Sequence, residues 1–125
     1  MEKSFNERVA EARQAVSAIS AEQAAALRAG SEDVVFIDPR PAAAIAASTG
    51  IIQGASNVTL GEIASGNLPP QLANRAARVI ASCQADPMGA IAAHELQKRG
   101  FCRVSYLDGG TQAWLDAGLP TVGRQ

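Results

Sequence analysis

The chain has 125 residues, with 11 Lys or Arg and 12 Asp or Glu, which gives a net charge of −1. A chain of this length forms one ordinary domain, and its balanced charge argues against a nucleic-acid or membrane-surface partner. Its apolar runs are too short to cross a membrane, and the charged residues 1–14 do not resemble a secretory signal, so we expect a cytoplasmic protein.

Two helices are predicted at the start of the chain, each after a serine that can begin a capping box. Ser4 is followed three positions later by Glu7, and Ser20 by Gln23. The first helix carries a narrow apolar stripe. We therefore divide the chain into an N-terminal helical extension, residues 1–17, and one domain, residues 18–125. The stripe is expected to pack on this domain, which favours a monomer over a weak homodimer.

After Gly30 the pattern alternates between short apolar runs and helices. Buried strands are predicted at 33–38, 78–82 and 103–107, with a brief strand near 55–58. Helices are predicted at 41–48, 89–100 and 111–118. Parallel neighbours need crossover connections, so this alternation predicts a doubly wound α/β fold. We expect a mostly parallel sheet of four to five short strands with helices on both faces.

The stretch between the brief strand near 55–58 and the buried strand at 78–82 is predicted to be the least regular. Residues 61–70, GEIASGNLPP, mix turn formers with leucine and isoleucine anchors. Residues 71–78 are expected to form one or two helical turns. The only histidine, His94, is expected on a solvated helix face, and with two cysteines far apart no metal site is predicted.

Cys83 ends an apolar run and precedes a short loop and an alanine-rich helix. Ligands of parallel sheets bind beyond the carboxyl ends of the strands. A loop that runs from a strand into a helix directs backbone N–H groups into its own concavity, and the helix N-terminus adds partial positive charge that stabilises a thiolate. The position fits two interpretations equally: a nucleophile, or a small apolar residue that ends a core strand.

The loop residues after Cys83 are Gln84, Ala85, Asp86, Pro87, Met88 and Gly89. Aspartate is a favoured N-cap and proline a favoured first helical residue, so Asp86 and Pro87 predict a helix start. Proline also lacks an N–H, and a capping carboxylate occupies donors that would otherwise face an anion. The loop is therefore expected to bind small anions poorly. If Asp86 instead only begins the helix and points to water, the proline and the absence of arginines still weaken the anion site.

Taken together, several segments resemble the rhodanese-like (sulfurtransferase) family in order and spacing. The matching segments are VVFIDPR at 34–40, GIIQGASNV at 50–58, the strand that ends in Cys83, and AAHELQKRGFCRVSYLDGGTQAWLDAGLP at 92–120. The resemblance covers roughly residues 18–121, in a single-domain form. It is most specific in the last segment, where the Leu-Asp-Gly-Gly turn, Trp114 and the Gly-Leu-Pro ending follow the family's order.

The resemblance implies a function that needs no cofactor. A cysteine in the position of Cys83 accepts a sulfane sulfur as a persulfide and passes it to a thiol or another nucleophile. The implied partners are a sulfur donor, either a small molecule or a protein persulfide, and a thiol acceptor. Asp38 and Arg40 match the family's Asp-x-Arg, and we interpret them as loop-bracing residues; contact with substrate is the second interpretation.

The loop departs from the family's pattern. Active members commonly read Cys-Arg-x-Gly-x-Arg, whereas here both arginines and the glycine are absent. Weak thiosulfate activity is therefore expected, and two alternatives stay open: a catalytically degenerate binding or regulatory module, and a cysteine redox sensor. A phosphatase of the dual-specificity type is rejected, because Gly89 stands where such a site needs an arginine.

Overall fold

The computed structural model describes residues 3–30, 33–84 and 87–124. Within these ranges the α-helices are α1 Phe5–Ala15, α2 Ala21–Ala29, α3 Ala42–Ala46, α4 Leu60–Ser65, α5 Pro87–Lys98 and α6 Gly110–Asp116. The strands are β1 Ser17–Ile19, β2 Val34–Asp38, β3 Ile51–Ile52, β4 Ser56–Asn57, β5 Arg78–Ala81, β6 Arg103–Leu107 and β7 Thr121–Val122. A short 3-10 helix spans Pro70–Leu72.

The main sheet has five strands in the order β1-β6-β5-β2-β4, and all its pairings are parallel. A separate antiparallel pair joins β3 to β7. The predicted doubly wound α/β fold is confirmed. The sequence patterns did not indicate β1, β3 or β7, because strands of two or three residues are too short to show a period.

Alternate residues of the central strand β5 point into two different cores. Val79 and Ala81 lie in a core with buried residues of α1, α4 and α5, whereas Ile80 lies in a core with residues of α2 and α6. This is the side-chain period of two expected for a strand buried on both faces. Helix α5 and helix α6 therefore cover opposite faces of the sheet.

Helix α1 packs on the domain through its apolar stripe. Val9, Ala12 and Val16 are buried in the core that contains α5, whereas Phe5 at the start of the helix is half exposed. The capping box predicted at Ser4 is present. The expected boundary between residues 17 and 18 falls inside β1, whose residues pair with β6.

The prediction of an irregular segment at 61–70 was wrong for its first half, which forms α4. Thr59 and Glu62 form a capping box: the Glu62 N–H donates to Thr59 Oγ1 at 3.2 Å, and the Thr59 N–H donates to Glu62 Oε1 at 2.9 Å. This start signal outweighs the low helix propensity of Gly61. Farther along, the turns expected at 71–78 reduce to the 3-10 helix.

No helix in the described part of the chain is long and apolar enough to cross a membrane.

Candidate functional site

Cys83 lies just beyond the carboxyl end of β5, the middle strand of the sheet. The Ser82 N–H donates to the Ile37 carbonyl at 2.9 Å, so the link to β2 continues one residue past the strand. Cys83 is 4% exposed, whereas Gln84 is exposed. The predicted nucleophile is therefore a nearly buried residue followed by an exposed one.

Helix α5 begins directly against this end of the sheet. Pro87 is its first residue, where the fixed backbone angle of proline suits a helix start. A Cβ atom at Gly89 would lie 3.1 Å from the Ala81 carbonyl oxygen and 3.4 Å from the Cys83 nitrogen. Glycine thus permits the first turn of α5 to contact the backbone around Cys83. The capping role predicted for Asp86, like Ala85, lies outside the described residues.

Helix α6 contacts the same loop from the other face of the sheet. The Thr111 N–H donates to the Cys83 carbonyl at 2.7 Å, and the Gln112 N–H donates to the Gln84 carbonyl at 3.1 Å. The hydroxyls of Thr111 and Ser82 are 2.7 Å apart, and both side chains are buried. The carbonyls of the loop thus occupy two N–H groups that a helix leaves without partners in its first turn.

Asp38 and Arg40 form a buried ion pair at the same edge of the sheet. Arg40 Nη2 lies 2.6 Å from Asp38 Oδ2, and Arg40 Nε lies 3.0 Å from Asp38 Oδ1. The guanidinium also donates to Ser48 Oγ, Thr49 Oγ1 and the Gly50 carbonyl, at 3.0 to 3.1 Å. Among the described residues, its hydrogen bonds all go to positions 38–50 and none goes to the Cys83 loop.

The second cysteine is remote from the first. Cys102 precedes β6 at the amino edge of the sheet, whereas Cys83 follows β5 at the carboxyl edge, and both are free thiols. Cys102 is exposed. Within the described ranges, no group of three or more His, Cys, Asp or Glu side chains is arranged to hold a metal ion.

A groove of about 490 Å³ lies away from the Cys83 loop, between α1 and α5. It is lined by Lys3, Arg8, Glu11, Ala64, Ile91, His94, Glu95 and Lys98. His94 is half-buried here rather than on a solvated face, which corrects the expectation from sequence. Burial, followed by the charge of Lys98, holds the pKa of His94 below its usual value.

The parallel sheet and the cysteine between a central strand and a helix place this protein in a class of α/β proteins with a strand–cysteine–loop–helix site. The family model for the rhodanese-like domain matches residues 20–117, which is most of the chain. The protein belongs to the rhodanese-like domain family. No curated protein sequence matches it.

Solved structures agree with this assignment. A Rhodopseudomonas palustris protein of unknown function, described as a possible tyrosine phosphatase, is 26% identical with a TM-score of 0.81, over 98% of this chain and 96% of its own. Thiosulfate sulfurtransferase of Pseudomonas aeruginosa is 25% identical with a TM-score of 0.77; the match covers 97% of this chain but only 23% of that protein. The polysulfide-sulfur transferase homodimer of Wolinella succinogenes is 23% identical with a TM-score of 0.76, over 94% and 86% of the two chains.

Proposed function

We propose that the protein handles sulfane sulfur through Cys83. The Cys83 thiolate attacks the outer sulfur of a donor persulfide, the donor's sulfur–sulfur bond breaks, and the donor leaves as a thiol. The acceptor thiolate then attacks the outer sulfur of the Cys83 persulfide and releases the Cys83 thiolate. The observation that carries this proposal is the position of Cys83 between the end of β5 and the first turn of α5, inside a rhodanese-like fold.

A persulfide donor fits this loop better than thiosulfate. Gln84 and Met88 occupy the positions where active relatives commonly carry arginines, so the loop has no cationic side chain there. A doubly charged donor such as thiosulfate needs charge-assisted hydrogen bonds to bind tightly. A protein or low-molecular-weight persulfide carries its transferable sulfur on a single thiol and depends less on such contacts.

The same observation favours a second candidate, a binding or regulatory module with little turnover. A loop without cationic side chains is expected to catalyse sulfur transfer weakly. A binding module does not need the Cys83 thiol in order to recognise a partner. A phosphatase activity, suggested by the description of the Rhodopseudomonas protein, has less support here. The arginine that clamps a phosphoryl group would stand at Gly89, where a side chain would press on the Ala81 carbonyl.

Mass spectrometry of the intact protein tests the proposal. The purified chain is incubated with a persulfide donor, and we expect a mass increase of one sulfur atom that a thiol acceptor removes. Cys83→Ser should abolish this adduct, and Cys102→Ser should leave it unchanged because Cys102 is at the opposite edge of the sheet. If the wild-type protein and the Cys102→Ser variant both fail to gain sulfur, the proposal is wrong and the binding module is favoured.

A further inference from the structure

The buried hydroxyl groups of Ser82 and Thr111 lie next to Cys83. Ser82 is 2% exposed and Thr111 is fully buried, and their oxygens are 2.7 Å apart although 29 positions separate them in sequence. Ser82 Oγ also lies 3.4 Å from the Cys83 carbonyl, which accepts the Thr111 N–H at 2.7 Å. Thr111 therefore contacts Cys83 through its backbone N–H and Ser82 through its hydroxyl.

These contacts fix the direction of the peptide bond that follows Cys83. The Cys83 carbonyl points toward α6, which lies on one face of the sheet, whereas α5 lies on the opposite face. A trans peptide is planar, so its N–H points opposite to its carbonyl. The N–H of Gln84 therefore points away from α6.

We infer that Thr111, acting with Ser82, is a positioning residue for the Cys83 nucleophile. The contact between the Thr111 and Ser82 hydroxyls anchors the start of α6 beside Cys83, so that the Thr111 N–H holds the Cys83 carbonyl and the Gln84 N–H stays available to an anionic sulfur at Cys83. This inference rests on the proposed function for its biological purpose, since a thiolate or persulfide is the species that such a donor would stabilise.

The loop's composition makes this positioning more important here than in a loop with arginines. Without cationic side chains at Gln84 and Met88, an anion at Cys83 depends on backbone donors. Pro87 supplies no N–H, which leaves fewer of them. Each remaining donor that is held in the right direction therefore contributes a larger share of the stabilisation.

The test measures the rate of Cys83 alkylation by iodoacetamide against pH, in a Cys102→Ser background so that only one thiol reports. Thr111→Val keeps the volume of the side chain and removes the hydroxyl. We expect it to slow alkylation at neutral pH by about threefold to tenfold, the effect of one hydrogen bond. The pH of half-maximal alkylation should move upward. Thr111→Ser, which keeps the hydroxyl, should restore the profile.

Thr121→Val is the matched control. It removes a threonine hydroxyl that donates to the Thr49 carbonyl at 2.8 Å, in β7 and away from the loop. We expect it to leave the alkylation profile unchanged. If Thr111→Val and Thr121→Val give the same profile, Thr111 has only a structural role and the inference is overturned. Should Thr111→Val not fold, Ser82→Ala breaks the same hydroxyl contact from the other side and gives the same two outcomes.

Failure of the inference and failure of the proposed function are distinguishable. Sulfur loading of the wild-type protein decides the function, whereas alkylation reports on the thiol alone. A wild-type protein that takes up no sulfur, together with a shifted profile in Thr111→Val, would retain the positioning role and discard sulfur transfer. Normal sulfur loading of the wild-type protein, together with an unshifted alkylation profile in Thr111→Val, would retain sulfur transfer and discard the positioning role.

Discussion

At the scale of single residues, the loop-bracing role of Asp38 and Arg40, assigned from the match to a family motif, stays a prediction. In the structure Arg40 contacts Ser48, Thr49 and Gly50 in addition to Asp38. The planar guanidinium suits this many acceptors. A buried charge of this kind is stable only while its partner carries the opposite charge.

We predict that Asp38→Asn destabilises the protein by about 3–5 kcal/mol, because it leaves the Arg40 charge buried without a counter-charge. Urea unfolding monitored by circular dichroism measures the loss. Glu95→Gln is the control, since it breaks the exposed pair with Lys98, at 3.3 Å, and should cost less than about 1 kcal/mol. Equal losses in the two variants would contradict the prediction.

The residues that sequence reasoning missed are those whose partners are distant in the chain. Cys83 and the loop after it were predicted as a site from a local pattern of strand, cysteine and helix. Ser82 and Thr111 carry no such pattern, because their contact exists only after α6 has packed beside β5. The only available signal was the hydroxyl residue Ser82 next to the candidate nucleophile, and the sequence does not show which residue this hydroxyl contacts.

At the scale of elements, the first turn of α5 depends on Gly89. A Cβ there would meet the Ala81 carbonyl oxygen at 3.1 Å, tighter than ordinary contacts, so the helix would have to move away from β5. Gly61 in α4 is different, because a Cβ there would meet only Thr59 Oγ1, at 4.0 Å. Substitution of Gly89 therefore disturbs a close contact between backbones, whereas substitution of Gly61 changes only the helix propensity of α4.

We predict that Gly89→Ala lowers the thermal unfolding midpoint and reduces sulfur loading of Cys83, since α5 shifts at the site. In contrast, Gly61→Ala should leave loading unchanged and stabilise the protein by up to about 1 kcal/mol, the usual gain in a helix. Differential scanning calorimetry and the mass-spectrometric assay measure the two effects. A Gly89→Ala variant that is as stable and as active as Gly61→Ala would show that the close approach is unimportant.

Arg75 and Arg99 bind backbone carbonyls at the C-terminal ends of α5 and α4. Arg99 donates to the Ala64 carbonyl in the last turn of α4, and Arg75 donates to the Arg99 carbonyl, at 2.9 Å, just after α5. Cations are favourable at helix C-termini, where carbonyls lack partners. The sequence predicted α5 well but not α4, because Gly61 and Gly66 obscured a six-residue helix whose start depends on Thr59.

At the scale of the whole molecule, the question is whether α1 is an extension or a part of the domain. The family model begins at residue 20, yet Val9, Ala12 and Val16 share a core with α5. The apolar stripe allowed this packing to be expected from sequence. The division at residue 17 remains a prediction about organisation, and unfolding experiments can decide it.

We predict that Ala12→Asp lowers the free energy of unfolding of the entire chain by more than about 2 kcal/mol, in one cooperative transition, because it buries a charge. The single tryptophan, Trp114, lies in the core on the other face of the sheet and reports by fluorescence. Ala10→Asp, at an exposed position of the same helix, should have an effect within about 0.5 kcal/mol. An unchanged Trp114 transition in Ala12→Asp would mean that α1 is an independent extension.

The hydrogen bonds from the first turn of α6 to the carbonyls of Cys83 and Gln84 have a consequence for the order in which this region forms during synthesis. Cys83 leaves the ribosome before Thr111 and Gln112, whose N–H groups hold the carbonyls of Cys83 and Gln84. Until those later residues emerge, the thiol lies in an unfinished loop. A nascent chain therefore carries Cys83 without its α6 contacts until α6 has been synthesised and has docked.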